Sequence, residues 1–178
     1  MALYWCLDWG ATVSPRYDVP KAAPEPLREV QLLINSIDLE HELDWLPDWL
    51  EERGLPGEHA ARGRVLREAL RALVLSNNGA PPDPSALELV NDVAARLPLQ
   101  LRPDGRLTVG PARDPLDGVV AIVLGAMLDG TWPRLKACRN CCWSFYDYSP
   151  NRSATWCSMQ ICGNRTKTRA YRRRRRDA

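Results

Sequence analysis

The spacing of apolar residues predicts a mainly helical chain. Apolar side chains recur at three- and four-residue intervals in five stretches, which is the period of a helix with one buried face. Pro47 falls inside the second stretch, where it either opens a new helix at its first turn or kinks the predicted one. The last stretch is nearly all apolar, which predicts a central buried helix. The predicted helices cover residues 27–37, 39–50, 58–75, 85–97 and 114–128.

A different pattern in residues 99–109 predicts one β-hairpin. Apolar and polar residues alternate there on both sides of a Pro-Asp-Gly segment. Proline, aspartate and glycine are residues that favour a tight turn between two strands. Residues 130–133, which contain a glycine and a proline, interrupt the pattern and mark the boundary between the helical region and the C-terminal part of the chain. The predicted fold class is therefore mainly α, with a helical N-terminal domain that includes one hairpin (residues 1–133) and a small C-terminal module (residues 134–178).

The formal net charge of +2 conceals a division between the two ends of the chain. Residues 134–178 hold twelve Lys and Arg against two acids, whereas residues 1–133 hold twelve against twenty. The C-terminal module thus has a net charge of +10, and the rest of the chain one of −8. A basic surface of this kind attracts a polyanion, whereas an acidic body avoids one.

Four cysteines of the C-terminal module have the spacing of a metal site. Cys138 and Cys141 are separated by two residues, Cys157 and Cys162 by four, and fifteen residues lie between the pairs. Two short-spaced pairs joined by a loop of this length suit one tetrahedral zinc ion. Because four thiolates leave the metal no open position, the sequence predicts a structural rather than a catalytic Zn²⁺ site.

A run of basic residues follows the cysteines and predicts contact with the phosphates of a nucleic acid. Such contacts supply affinity and position, but they carry no sequence information. The alternative interpretation is a solvated end of the chain without a specific partner. Helical spacing from Lys167 onward would place four of the arginines toward one side, namely Arg169, Arg172, Arg173 and Arg176. The residues predicted to contact DNA are Arg165, Lys167, Arg169, Arg172, Arg173, Arg174, Arg175 and Arg176.

The C-terminal module resembles the CGNR zinc finger family. The resemblance rests on five segments around the cysteines, the last of which reads Cys-Gly-Asn-Arg; they are residues 135–138, 143–147, 149–153, 156–159 and 162–165. It implies a zinc-binding finger that follows a helical N-terminal domain, often called ABATE. It also implies a DNA-binding transcription regulator, sometimes described as stress-induced. The rest of the chain resembles that N-terminal domain more weakly, through its helical layout and its hairpin.

The chain departs from the family pattern at its first cysteine pair. The family usually places four residues between these two cysteines, and here there are two. Alignment on Trp143 and Phe145 makes Cys141 the second ligand. Cys142 then falls at a position that is usually Gly or another residue that binds no metal, and it remains the rival ligand.

Other residues of the module have mainly structural interpretations. We expect Trp143, Phe145 and Trp156 to form a small core around the metal rather than to stack on bases. Asn164 and Arg165 follow the last cysteine, and both could order the site by hydrogen bonds to its ligands. Arg165 could equally contact phosphate.

The N-terminal domain offers no visible catalytic machinery, so we expect no enzyme. It contains no nucleotide-binding loop, no HExxH motif and no spacing typical of a catalytic triad. His41 and His59 are isolated on predicted helices, where a surface or capping position suits them. Four tryptophans are expected in the core, with an aromatic-lined pocket for a small-molecule effector as the alternative; they are Trp5, Trp9, Trp45 and Trp49.

Three hypotheses concern location and partners. The longest apolar run, residues 119–128, is too short to span a bilayer, and the first residues lack the charge of a secretory signal. We therefore expect a cytoplasmic, nucleoid-associated protein without a membrane partner. A helical body of this kind suits a homodimer, which would double the phosphate contacts. RNA binding and docking to another protein are the alternatives to DNA binding.

Overall fold

The computed structural model describes residues 21–176 and is mainly helical, as the apolar spacing predicts. The helices are α1 Leu27–Ile34, α2 Leu46–Glu51, α3 Ala60–Ser76, α4 Pro84–Ala94, α5 Pro115–Leu128 and α6 Asn164–Arg176. The strands are β1 Ile37–Asp38, β2 Leu43–Asp44, β3 Leu99–Leu101, β4 Leu107–Val109, β5 Leu135–Ala137 and β6 Ser144–Tyr146. They pair as three antiparallel hairpins, β1 with β2, β3 with β4 and β5 with β6. Single helical turns lie at Gly57–His59, Trp132–Arg134 and Met159–Gly163.

Aspartate and proline side chains determine where several helices begin. Asp83 caps α4 by accepting hydrogen bonds from two backbone N–H groups of the first turn. Asp114 caps α5 by accepting one from Asp117. A proline follows each cap, where its missing N–H costs nothing. Pro47 lies in the first turn of α2 in the same way, so the first of its two predicted roles is confirmed.

The hairpin β1–β2 replaces parts of two predicted helices. The helix predicted over 27–37 ends at Ile34, and the one predicted over 39–50 begins only at Leu46. Leu39, which was assigned to the apolar face of that second helix, is 47% exposed. The helical prediction was therefore wrong for residues 39–45. Within residues 21–133 there are two hairpins rather than the predicted one, and β3–β4 is the one that was predicted.

Polar side chains explain why this segment turns instead of continuing as a helix. The Asp38 carboxylate accepts hydrogen bonds from the backbone N–H groups of Glu40 and His41, at 2.9 and 3.3 Å. Such local bonds compete with helical ones. Glu42 then adopts the left-handed conformation, with a φ of 57°. His41, predicted on a helix, therefore lies in a turn, with Nδ1 2.8 Å from Asp38 Oδ2.

Helices α3 and α5 form the centre of the hydrophobic core. Helix α3 packs against α1, α2, α4 and β5, and α5 packs against α1, α4 and β4. Leu70 and Val74 of α3 and Val120 and Val123 of α5 are fully buried. Burying a side chain of this size contributes about 1.5–3 kcal/mol, so these four side chains stabilise the fold substantially. None of the helices in the described range is long and apolar enough to cross a membrane.

The predicted core tryptophans have different outcomes. Trp49 is buried in the core, as predicted, whereas Trp45 is partly exposed. Trp5 and Trp9 lie outside the described residues.

The hydrophobic core continues from the body (residues 21–133) into the C-terminal module. Strands β5 and β6 are buried along their whole length. Their residues Leu135, Ala137 and Tyr146 belong to the same apolar cluster as α1, α3 and α5. Packing is therefore continuous across residues 133 and 134, and the division into two domains stays a prediction.

Side chains of the body also hydrogen-bond the backbone of the C-terminal module. Asn35 donates to the carbonyl of Ser144 at 2.9 Å and accepts from its N–H at 2.7 Å, as a neighbouring strand would. Asn78 donates to the carbonyls of Ala137 and Thr155, at 2.7 and 3.0 Å. We call the side chains that make such bonds the clasp, which consists of Gln31, Asn35, Arg71, Asn77 and Asn78.

Candidate metal centre and basic helix

The four predicted cysteines come together in one cluster. Each offers one Sγ atom, and the four atoms all lie within 4.8 Å of one another. Three of the separations are short: Cys141 to Cys157 is 3.6 Å, Cys157 to Cys162 is 3.6 Å and Cys162 to Cys141 is 3.5 Å. Zinc–sulfur bonds of about 2.3 Å in a tetrahedron require sulfur separations of about 3.8 Å. The donor set and its geometry therefore fit a tetrahedral, four-thiolate metal site.

Local backbone bonds place the cysteines. The turn after β5 is closed by two hydrogen bonds, from Cys138 N–H to the Trp143 carbonyl and from Cys142 N–H to the Cys138 carbonyl, both at 2.9 Å. Cys162 lies in the π-helical turn, where its N–H donates to the carbonyl of Ser158 at 3.0 Å. The cluster thus joins the start of the module to the turn that leads directly into α6.

Cys142 does not belong to the cluster of four. Its backbone adopts the left-handed conformation, with a φ of 60°, which favours glycine. The side chain of Arg71 donates to its carbonyl at 3.1 Å. Burial raises the pKa of the Cys142 thiol, which keeps it protonated. The fold therefore brings Cys141, and not Cys142, to the other three sulfurs.

Hydrogen bonds couple the protonation of three of the thiols, those of Cys138, Cys141 and Cys157. Hydrogen bonds from the thiols of Cys141 and Cys157 lower the pKa of Cys138. The bond with Cys138 in turn raises the pKa of Cys141, and it raises the pKa of Cys157 to about 12. The thiolate of Cys138 is thus favoured, while Cys141 and Cys157 stay protonated. A divalent cation has to displace those protons, so its binding weakens as the pH falls.

Nitrogen donors around the sulfurs favour the charged form of the cluster. The backbone N–H groups of Asn140 and Cys157 bond the sulfur of Cys138. The side-chain amide of Asn140 also lies 3.6 Å from the sulfur of Cys162. The sequence indicated Asn164 as a residue that could play this role, but its side chain makes no hydrogen bond with the described residues. Asn140 was not predicted, and its only signal in the sequence is its position inside the Cys-x-x-Cys turn.

A small apolar core supports the metal cluster. Trp143 and Phe145 are buried against the cysteines, and Trp156 packs partly buried beside them. Lys21 lies over the Phe145 ring, with Nζ 4.7 Å from the ring centre, and donates to the carbonyl of Trp156 at 2.8 Å. Because these rings are covered, the prediction that they form a core rather than a stacking platform is confirmed for Trp143 and Phe145.

A buried ion pair forms a second centre of the module. Lys136 Nζ lies 2.8 Å from Asp147 Oδ2, and both side chains are almost completely buried. Burial alone would raise the pKa of Asp147, but hydrogen bonds from Lys136 and Ser149 lower it to about 2. The same carboxylate accepts from the N–H of Ala154 at 2.9 Å. Every charge in this pair is therefore compensated, and the pair fixes the chain between the two cysteine pairs.

All the residues predicted to contact DNA lie on α6. The helix has eight basic residues among thirteen and no acid, and its basic side chains are exposed. Basic residues in the last turn are favoured by the negative end of the helix dipole. Arg165 forms an ion pair with Glu40 of the β1–β2 turn. Arg169 donates to Asn140 Oδ1 at 3.1 Å, so the start of α6 is tied both to the body and to the metal cluster.

A mainly helical body that carries a closed four-cysteine site and a basic helix defines a small metal-binding protein of the zinc-finger class. Residues 134–175 match the family model of the CGNR zinc finger. Residues 27–130 match that of the ABATE domain, whose description reads "Putative stress-induced transcription regulator". The chain belongs to the family in which an ABATE domain precedes a CGNR zinc finger. No curated protein matches it.

Proposed function

We propose that this protein is a zinc-dependent transcription regulator that binds double-stranded DNA. The observation that carries the proposal is the attachment of α6 to the four-cysteine cluster. The last cysteine, Cys162, lies in the turn that leads directly into this exposed basic helix. The metal then has a clear physical role, because it fixes the direction in which the basic helix leaves the module.

The proposed cation is a structural Zn²⁺ held by Cys138, Cys141, Cys157 and Cys162. Four thiolates and one Zn²⁺ have a formal charge of −2, and the cluster lies at the start of α6. The positive end of the helix dipole faces that charge, which stabilises both. Soft thiolates in a tetrahedral set also suit iron, so metal analysis of the purified protein distinguishes the two cations.

Electrostatics favours duplex DNA as the partner. Duplex DNA has one negative charge per roughly 1.7 Å of its axis. Helix α6 is about 20 Å long and presents its eight basic residues without any acid. If about six of them meet phosphates, the logarithm of the binding constant falls with the logarithm of the salt concentration at a slope of about −5.

The test is a salt titration of duplex binding by the full chain, with zinc content measured on the same samples. We expect tight, salt-sensitive binding. Replacing residues 172–176 by glutamine keeps helix propensity but removes five charges, so most of the affinity and most of the salt slope disappear. Replacing the same five residues by lysine is the matched control, which retains both. No binding to any duplex by zinc-loaded protein contradicts the proposal.

RNA binding is the second candidate, and one observation favours it. Tyr171 is 56% exposed, with the guanidinium of Arg175 5.9 Å from its ring centre. Exposed aromatic rings beside cations bind unpaired bases by stacking. Competition between duplex DNA and single-stranded RNA decides between the two. If neither competitor binds, docking to another protein becomes the favoured function.

The body keeps two proposed roles. An open groove of about 460 Å³ beside α2 and α5, lined by Trp49, Arg53 and Ile122 among others, is the candidate site for a small-molecule effector. Homodimerisation, which would double the number of basic helices, is tested by analytical ultracentrifugation of the full chain. The proposed function includes no catalytic step.

A further inference from the structure

Helix α6 has a polar stripe that differs from its basic sides. With 3.6 residues per turn, positions four and seven apart fall on one face of a helix. Asn164, Thr168 and Tyr171 have this spacing and form a stripe along the first two turns, and Arg175 continues the same face, with its guanidinium 5.9 Å from the centre of the Tyr171 ring. Basic residues flank the stripe, with Lys167 and Arg174 on one side and Arg165, Arg169 and Arg172 on the other.

The side chains of the stripe face away from the rest of the protein. All three are exposed, and none of them forms a hydrogen bond with the described residues. On the other side of the helix, Thr166 and Ala170 are partly buried, so that side faces the module. The stripe is therefore free to meet a partner.

The stripe also borders an open space. Asn164 and Thr168 line a groove of about 510 Å³ together with Gln160 and Ile161 of the preceding π-helical turn. Arg165, Arg169 and Arg172 line the same groove, which gives it a positive charge. A phosphate backbone bound on the arginine side of this groove would place the neighbouring bases against Asn164 and Thr168.

We propose that Asn164, Thr168 and Tyr171 read base edges in the major groove of duplex DNA. The inference rests on the proposed DNA binding and adds the residues that give it sequence preference. An α-helix fits the major groove, where asparagine can bond adenine through two atoms and a threonine methyl can contact thymine. Lys167 and Arg174 on one side and Arg172 on the other would reach the phosphates and position the helix, while Arg165 and Arg169 are held by Glu40 and Asn140.

The stripe predicts the size of the recognised sequence. Its first and last residues are seven positions apart, which is about 10 Å along the helix axis. At about 3.4 Å per base pair, one chain then reads roughly three base pairs. Charge alone would give no preferred sequence, so a short preferred motif separates base reading from phosphate contact.

The experiment is a selection of preferred duplexes from a random library by the full, zinc-loaded chain. We expect a motif of about three base pairs per chain. Asn164→Ala and Thr168→Ala should each reduce the preference for selected over random duplex about tenfold, with an unchanged salt slope. The paired change Lys167→Gln and Arg174→Gln is the matched control, which should weaken binding to both duplexes equally and reduce the slope by about two.

The outcomes separate this inference from the proposed function. Duplex binding without any selected motif, or an unchanged preference in the stripe variants, overturns the inference but leaves DNA binding in place. Absence of duplex binding overturns the proposed function itself, as does tighter binding to single-stranded RNA. Zinc content and circular dichroism of each variant confirm folding. Tyr171→Phe is a further stripe variant, which keeps the aromatic ring and removes only the hydroxyl group.

Discussion

The body and the C-terminal module are stabilised by different forces. The body buries apolar side chains from α1 to α5 in one continuous cluster, so area removed from water dominates its stability. The cluster beside the metal site contains only Trp143, Phe145 and three cysteines among its buried residues. A module of about 40 residues cannot build a sufficient apolar core of its own. Its fold therefore depends on the metal site, on the Lys136–Asp147 pair, on the clasp and on the packing of β5 and β6 against the body.

Loss of the metal should produce the largest difference between the two regions. Cys157→Ser removes one of four ligands, and structural zinc supplies roughly 10–16 kcal/mol to small zinc modules. We expect the segments around the cysteines and α6 to lose their fixed structure, while the helices of the body and the buried strands packed on them stay folded. Two-dimensional NMR checks this, since signals of residues 138–143 and 156–176 should collapse and those of α3 and α5 should persist. An undisturbed module would contradict the ligand assignment.

The matched control for that experiment lies in the same turn. Cys142→Ser changes a cysteine that is outside the cluster, so the protein should keep a full equivalent of zinc. A fall in zinc content in this variant would make Cys142 a ligand.

Breaking the buried ion pair should have the next largest effect. Asp147→Asn leaves the ammonium group of Lys136 buried without its counter-charge, which costs about 3–5 kcal/mol. Urea unfolding of zinc-loaded protein measures the loss. Glu40→Gln is the matched control, because it removes an exposed partner of Arg165 and should cost at most about 1 kcal/mol. Equal effects of the two changes would show that the buried pair has no special role.

Weakening the clasp should have a smaller effect that reaches the metal. Asn78→Ala leaves the buried carbonyl of Ala137 without this bond, which costs about 1–3 kcal/mol. If the body stabilises the module, zinc affinity falls in the same variant, as competition with a chelator would measure. Asn91→Ala on the exposed face of α4 is the matched control, with little change expected in either quantity. Unchanged zinc affinity in Asn78→Ala would show that the module folds independently of the clasp.

Relieving a strained backbone position should give the smallest effect, and it is the one change here that should increase the stability of the protein. Cys142 has a positive φ that costs a non-glycine residue roughly 1–2 kcal/mol. Cys142→Gly should therefore raise the denaturation midpoint slightly while zinc content stays constant. A lowered midpoint would mean that the side chain of Cys142 contributes packing that outweighs the strain.

The four-cysteine cluster could be predicted from the sequence because its signal is local. Two short-spaced pairs indicate a metal whatever surrounds them. The clasp could not be predicted, since Asn35 and Ser144 are 109 residues apart and an asparagine at the end of a helix is ordinarily read as a cap. The burial of Lys136 and Asp147 could not be predicted either. Lysine and aspartate are rarely buried unless they are paired, and the sequence does not show that these two residues form a pair.

The hairpin β1–β2 was missed for a different reason. The apolar residues around it match a helical period, and the turn depends on side-chain bonds from Asp38 that compete with that pattern. Most of the other helices followed their apolar spacing closely, because burial of a continuous face decides them. Short polar segments between helices are thus the part of this fold that periodicity alone describes least well.

The clasp has a consequence for how such proteins can be recombined. A gene fusion that moved the zinc-finger module onto a foreign partner would leave the backbone of Ser144 and Ala137 without the asparagines that now bond it. We therefore expect the module to lose stability when it is moved without the body, although its cysteines are contained within it. Exchange of the module between relatives is expected to succeed where the recipient has residues equivalent to Asn35, Asn77 and Asn78. A design that grafts this finger onto another protein therefore has to include the part of the body that carries these residues.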